Sequence, residues 1–320
     1  MITGHGDDAY QYPGIVSDFS SNICAHAPHQ RLMEHLTQKA GLISHYPEPE
    51  AWSLERLVAE RYAIDPACVV VTNGATEAIY LVAQTFPMAA NIPQPTFSEY
   101  EDACAMFPPA TDGRQSLWLC NPNNPTGSVL AEDMLEPLLE SYDLIVVDQS
   151  YEDYTPHDIL SPRQAIRHEK IVQIHSMTKT YGVPGLRLGY ITASASLARL
   201  LRRNLRPWSV SALAVECGLY LLQHDELRLK PDFAEAQRLW HELNRLDGVS
   251  VRPTDTNFML CHMDNHTAAD LKDYLVRDHG ILIRDASNFR GLTPGHFRVA
   301  TQTPAENDAL VSAINQFLEL

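Results

Sequence analysis

The segment Ser176-Met177-Thr178-Lys179-Thr180-Tyr181-Gly182-Val183-Pro184-Gly185-Leu186-Arg187-Leu188-Gly189-Tyr190 decides how this chain is read. It follows the β-rich run Ile171-Val172-Gln173-Ile174, so Lys179 falls just past a strand end. There it stands beside hydroxyl side chains and ahead of a Gly/Pro-punctuated turn that carries Arg187. Such a layout suits an aldehyde that bears a phosphate. A lysine amine forms a Schiff base with an aldehyde, while the Ser176 hydroxyl and the permanent charge of Arg187 suit the phosphate. A lysine taken alone belongs on the solvated surface; the order of the motifs around this one argues otherwise.

Working outward, strand-like runs alternate with helix-like segments from about residue 53 to residue 200. The runs are 68–72, 89–92, 116–120, 144–148, 171–175 and 189–192. This alternation predicts an α/β fold with a mainly parallel central sheet flanked by helices, in which ligands sit beyond the carboxyl ends of the strands. Thr72, Asn124, Asp148 and Ser176 all fall at or shortly after such ends. After about Trp208 the texture changes to helical stretches through Leu222 and from Asp232 to Leu246, then short strands at 250–252, 258–262 and 297–300. The turn signals Asp247-Gly248 and Thr293-Pro294-Gly295 separate them, which predicts a smaller α+β domain. The expected organisation is an N-terminal segment, 1–30, packed with the small domain, a large domain, 31–207, and a small C-terminal domain, 208–320.

Bulk properties narrow the partners. The 320 residues carry a net charge of -16, which argues against nucleic acid and anionic membranes, since either demands a basic face. The opening residues lack the basic and apolar regions of a signal peptide, and no apolar run reaches membrane-spanning length, so the chain is expected in the cytoplasm. Six cysteines without a C-x-x-C pair fit reduced thiols. The 14 histidines show no ligand spacing, and no metal is expected.

The chemistry-bearing motifs each have a physical logic. Thr72-Asn73-Gly74-Ala75-Thr76-Glu77 leads a strand into an amphipathic helix, so the N–H groups of Gly74, Ala75 and Thr76 form an anion site at a helix N-terminus. Leu144-Ile145-Val146-Val147-Asp148 ends a buried strand in an acid that can hold a pyridine nitrogen protonated through a charge-assisted hydrogen bond of roughly 1.5–3 kcal/mol. Tyr151 and Asn124, the latter in Asn121-Pro122-Asn123-Asn124-Pro125-Thr126-Gly127, can both bond the ring's phenolic oxygen. Phe97, in Pro95-Thr96-Phe97, can stack on a flat ring. Arg284 and Arg298 provide two cations in the small domain that can clamp anionic groups of one substrate.

In this order the motifs resemble those of the class I/II aminotransferases, the fold-type I enzymes that use pyridoxal 5'-phosphate, and the resemblance runs from His5 to Thr301. It implies that Lys179 carries the cofactor and moves protons, and that Asp148 pairs with the pyridine nitrogen while Phe97 stacks on the ring. Asn124 and Tyr151 are implied on the ring oxygen, with Gly74, Ala75, Thr76, Ser176 and Arg187 on the phosphate. Tyr46, in His45-Tyr46-Pro47, resembles the tyrosine that reaches a neighbouring subunit's cofactor phosphate, which implies a homodimer with shared active sites. Two branches fit, both acting on small phosphorylated amino compounds: histidinol-phosphate aminotransferases and the threonine-phosphate decarboxylases of cobalamin biosynthesis. The opening Gly4-His5-Gly6 with Asp18-Phe19-Ser20-Ser21-Asn22-Ile23, and the run Ile283 to Leu292, look more like the decarboxylases, implying His5 and Asn22 beside the substrate.

Overall fold

Val69–Thr72 and Leu144–Asp148 are buried along their whole length, and a strand buried on both faces needs a layer of cover on each side. A computed structural model describing residues 8–23 and 29–320 supplies that cover. In chain order the strands are β1 (Ser17–Asp18), β2 (Val69–Thr72), β3 (Ala89–Asn91), β4 (Gln115–Cys120), β5 (Leu144–Asp148), β6 (Ile171–Ser176) and β7 (Gly189–Ala193). Then come β8 (Val249–Val251), β9 (Phe258–Met263), β10 (Ile281–Leu282), β11 (Arg284–Asp285) and β12 (His296–Ala300).

The central sheet has the order β2-β7-β6-β5-β4-β3. The neighbours from β6 through β5 and β4 to β3 run parallel, while β7 is antiparallel to both β6 and β2. On one face the helix Gly74–Thr85 packs Ala78, Ile79 and Val82 against Val70, Val146, Val172 and Ile191. On the other, Leu117, Ile145, Val147 and Ile171 meet Leu135, Leu160 and Ala165. The second sheet, β11-β12-β9-β8, is antiparallel. Its core joins Met259, Phe297 and Val299 to Leu239, Leu310 and Ile314, and to Phe19 from the N-terminal segment.

Most expected strands appear within a residue of their sequence positions, and three two-residue strands were not anticipated. β1 lies parallel to β10, with Ser17 opposite Ile281 and Asp18 opposite Leu282, and β11 extends the small sheet beside β12. A two-residue strand is too short to carry the alternation that marks longer ones. The helical stretches begin where their caps allow: Ser211 accepts from the Ala214 amide to open Ala212–Gln223, and Asp232 accepts from the Glu235 amide to open Phe233–Leu243. No helix among the described residues is long and apolar enough to cross a membrane.

The carboxyl edge of the central sheet is drawn tight at Gly189, which pairs with Thr72 on one side and Ser176 on the other. A Cβ at Gly189 would stand 2.7 Å from the His175 carbonyl oxygen, 2.8 Å from the Ala75 nitrogen and 2.9 Å from the Gly74 carbonyl carbon. All three are main-chain atoms, so only movement of the backbone could relieve the contacts. Gly189→Ala is therefore expected to destabilise the fold by about 1–3 kcal/mol, seen as a lower denaturant midpoint; an unchanged midpoint would show that this edge yields.

Candidate active site

A cavity of 280 Å³ opens beyond the carboxyl ends of β2, β4, β5 and β6, where parallel strands of an α/β sheet place their ligands. Lys179 lies on its wall, in the short helix Met177–Tyr181 that follows β6 and ends at Gly182 in the left-handed conformation. Its Nζ donates to the Ser21 carbonyl at 2.7 Å and stands 5.7 Å from the centre of the Tyr151 ring. The Tyr154 hydroxyl donates to the Lys179 carbonyl at 2.8 Å, so the backbone that carries the amine is held from behind.

Ala75, Thr76, Ser176 and Arg187 line one end of the cavity. Gly74 lies behind them at φ +84°, and a Cβ there would come within 2.9 Å of the Arg187 guanidinium. Arg187 itself adopts φ 53° and donates to the Pro184 carbonyl at 3.2 Å. Glycine thus serves twice at this position: it accepts the left-handed backbone and leaves room for a cation at the helix N-terminus. The donor set of main-chain amides, a buried hydroxyl and a guanidinium fits a phosphate.

At the other end Asp148 is 4% exposed. Its Oδ1 accepts from the Ser150 amide at 2.8 Å and its Oδ2 from the Tyr100 hydroxyl at 2.8 Å. Burial pushes the carboxyl above its ordinary range, while the Ser150 and Tyr100 hydrogen bonds and the nearby His175 pull it back. Phe97 borders the space between Asp148 and the phosphate end, its ring edge-on to Tyr100 at 5.7 Å. Tyr151 is buried, its phenol pushed up to about 12 by burial, and it accepts from Asn22 Nδ2 at 3.4 Å. The other amide atom of Asn22, Oδ1, is buried without a protein partner.

The small sheet contributes the cations. Arg284 on β11 and Arg298 on β12 face each other in register, and both are buried in the cavity wall. Arg284 donates to Asn288 Oδ1 at 2.8 Å and lies 5.4 Å from the Phe289 ring centre. Arg298 donates through one terminal nitrogen to Asn124 Oδ1 and through the other to the Ser20 carbonyl, and its Nε has no protein partner. Burial lowers both guanidinium pKa values, that of Arg298 to about 10, so it is still charged at neutral pH.

The structure thus gathers Ala75, Thr76, Phe97, Asn124, Asp148 and Tyr151 around one space with Ser176, Lys179, Arg187, Arg284 and Arg298. Gly74 and Asn22 stand immediately behind that wall. Tyr46 does not: it is 86% exposed, its ring 5.5 Å from that of Trp208. His5 lies outside the described residues. Sequence reasoning missed Tyr100, Asn288 and the carbonyls of Ser20 and Ser21. The position of Tyr100 three residues after Phe97 was a usable signal, whereas main-chain carbonyls leave none.

Residues 107–314 match the family model for aminotransferase class I and II. The crystal structure of L-threonine-O-3-phosphate decarboxylase from Porphyromonas gingivalis is 36% identical with a TM-score of 0.90, covering 95% of this chain and 100% of that one. The threonine-phosphate decarboxylase of Salmonella typhimurium is 29% identical over 96% of this chain and 92% of its own. A histidinol-phosphate aminotransferase of Caldanaerobacter subterraneus subsp. tengcongensis is 28% identical, over 85% of this chain and 84% of its own.

Asp148 yields a pH prediction for the cofactor-free protein. Its folded pKa lies above the ordinary 3.8, so over that window the folded state binds more protons than the unfolded one, and stability falls as pH rises. The groups bearing on it are His175, which lowers its pKa, and Cys120, Tyr100 and Tyr151, whose own pKa values the Asp148 charge helps to raise. Asp148→Asn removes this titration. Denaturant midpoints measured from pH 4 to pH 8 are expected to show the wild type losing stability relative to the variant; parallel curves would contradict the burial argument.

Proposed function

Since the chain belongs to the class I and II aminotransferase family, whose cofactor is pyridoxal 5'-phosphate, we propose that it decarboxylates a phosphorylated α-amino acid, O-phospho-L-threonine, in the making of the cobalamin side chain. The observation that carries this reading is the register of Arg284 opposite Arg298 in the cavity that also holds Lys179. Arg298 is buried with two neutral acceptors and Arg284 stands opposite it, so two positive charges lie side by side where a compact anion of high charge would offset lost hydration. A substrate phosphate meets that need.

The residues fit the cofactor. The Gly74–Arg187 cradle suits its phosphate, Phe97 its ring face and Asp148 its ring nitrogen. Asn124 gives its carbonyl oxygen to Arg298, so its amide nitrogen is the group left to donate to the ring oxygen, beside Tyr151. When bound, the cofactor supplies an aldehyde that captures the substrate's amino group and a ring that accepts the electron pair released at Cα. Asp148 keeps the ring nitrogen charged, and its burial strengthens that hold. The arginine pair fixes the substrate's phosphate and leaves its carboxylate unclamped. Clamping the carboxylate would stabilise the starting state more than the transition state, in which its charge is leaving, and would slow the step. With the bond from Cα to the carboxylate broken and carbon dioxide gone, Lys179 Nζ, in the cavity wall, would be the acid that returns a proton to Cα.

Transamination of histidinol phosphate is the second reading, supported by the 28% identical relative. It uses the same phosphate clamp, with Lys179 Nζ moving the Cα proton instead. A homodimer is also part of the proposal: Tyr46 is exposed beside Trp208, itself half-exposed, on a face open to a second copy.

Mass spectrometry after incubating the cofactor-loaded protein with O-phospho-L-threonine and no keto acid is expected to find 1-amino-2-propanol phosphate. Turnover of histidinol phosphate only when 2-oxoglutarate is added would establish the second reading instead. Lys179→Ala is expected to abolish either product, and Arg298→Ala to lower kcat/KM by at least about a hundredfold. Retained turnover in Lys179→Ala would sink the mechanism.

A further inference from the structure

The hydroxyl of Tyr100 touches the one carboxylate that the cofactor's ring nitrogen would meet. Tyr100 is 1% exposed and Asp148 4%, and the 2.8 Å hydrogen bond between them runs from the phenol to Oδ2. The Ser150 amide occupies Oδ1 at the same distance. Each carboxylate oxygen thus accepts a fixed protein donor, and the Ser150 hydroxyl also bears on the carboxylate. Rotation of the carboxylate would break both bonds at once.

Tyr100 is itself fixed on three sides. Its ring meets Phe97 edge-on at 5.7 Å and lies tilted over Trp118 at 5.9 Å, while Cys120, opposite Asp148 in the β4–β5 register, borders its hydroxyl. It belongs to the helix Glu99–Met106, which starts two residues after Phe97. One short stretch of chain therefore sets both the ring that covers the cofactor plane and the hydroxyl that holds the carboxylate. Burial, with Asp148 next to it, pushes the Tyr100 phenol well above its ordinary range, so it is a hydrogen-bond donor throughout the physiological span.

We propose that Tyr100 is a positioning residue, whose hydroxyl locks the Asp148 carboxylate in the orientation that receives the cofactor's ring nitrogen. The inference rests on the reading of Asp148 as the partner of that nitrogen. Donation from Tyr100 withdraws some charge from Oδ2, which by itself weakens the hold on a ring N–H. Orientation outweighs this loss, because a hydrogen bond in a dry site depends steeply on alignment and a preset acceptor needs no reorganisation when the ring arrives. Lysine attachment, phosphate contacts and ring stacking are untouched by the hydroxyl itself, so the effect of removing it should travel through Asp148.

The test is a double-mutant cycle on cofactor affinity, read by absorbance as the cofactor-free protein is titrated with pyridoxal 5'-phosphate. Tyr100→Phe keeps the ring and its packing and removes only the hydroxyl. It is expected to weaken binding about tenfold in the wild-type background and less than about twofold in an Asp148→Asn background, where the carboxylate it orients is gone. Trp118→Phe, which loosens the same packing without touching the hydrogen bond, is expected to stay within about twofold of wild type. The absorbance maximum of the saturated protein should shift in Tyr100→Phe and not in Trp118→Phe.

Equal weakening by Tyr100→Phe in both backgrounds would assign the residue to packing and overturn the inference while leaving Asp148 in its role. Wild-type affinity in Tyr100→Phe would overturn it too. Wild-type affinity in Asp148→Asn would remove the reading of Asp148 itself, and this inference with it.

Discussion

The buried guanidinium of Arg298 is the contact on which the cavity depends. It stands on the small sheet, yet it donates to Asn124 in the loop after β4 and to the Ser20 carbonyl in the N-terminal segment. Three stretches of chain far apart in sequence are thereby fixed around one cation. Both acceptors are neutral, and among the described residues no carboxylate forms an ion pair with it. The hydrogen bonds orient the charge without cancelling it. A cation desolvated in this way is costly in the empty protein, and its cost is offset when an anion enters. The same geometry that closes the cavity therefore makes it selective for negative charge.

Opposite charges are kept apart within this space. Asp148 lies at the end of β5 with its own donors, while Arg284 and Arg298 project from the small sheet and Arg187 sits by the N-terminus of the helix Gly74–Thr85. Had the carboxylate met an arginine, each would have neutralised the other and neither would be free for a ligand. The sheet prevents it: β5 and β6 run side by side, so Asp148 and Lys179 emerge at neighbouring strand ends, with the arginines on other walls. Stability is given up for this separation, since burial disfavours the charged forms of both Asp148 and Arg298.

What was legible in the sequence follows from how local each constraint is. The strands β2 and β5 announce themselves because burial on both faces demands nearly uninterrupted apolar or small residues, as in Val69–Thr72. Gly74 is legible because a left-handed backbone beside an arginine tolerates no side chain. The strands β1, β10 and β11 were not, because two residues contain no period and their pairing is fixed by tertiary packing. Phe19 shows the difference: its amide bonds Leu282 and its carbonyl receives the Ala300 amide, so its place depends on partners more than 260 residues away in the chain. Tyr100 escaped for a related reason. Its spacing from Phe97 was a signal, but its contact with Asp148 exists only once the fold sets the helix Glu99–Met106 against the end of β5.

The arrangement also bears on which bond breaks. In this family one lysine and one electron-accepting ring serve both decarboxylation and transamination, so the choice lies in which group stands across the ring plane. Arg284 and Arg298 lie on the β11–β12 pair, while Arg187 stands beside Gly74 at the start of the helix Gly74–Thr85, and all three arginines line the cavity. With a substrate phosphate at the β11–β12 pair and its amino group at the cofactor, as proposed, the orientation of the groups on Cα would be what remains to be decided. The cavity wall presents Lys179 Nζ, held by the Ser21 carbonyl, and the Tyr151 phenol with Asn22 behind it. A carboxylate turned towards Tyr151 and Asn22 would meet the Tyr151 phenol and the Asn22 amide, with Lys179 Nζ 5.7 Å from the Tyr151 ring centre. That wall therefore supplies neutral hydrogen-bonding groups and one amine together, and the choice of bond would turn on which of them faces the substrate carboxylate.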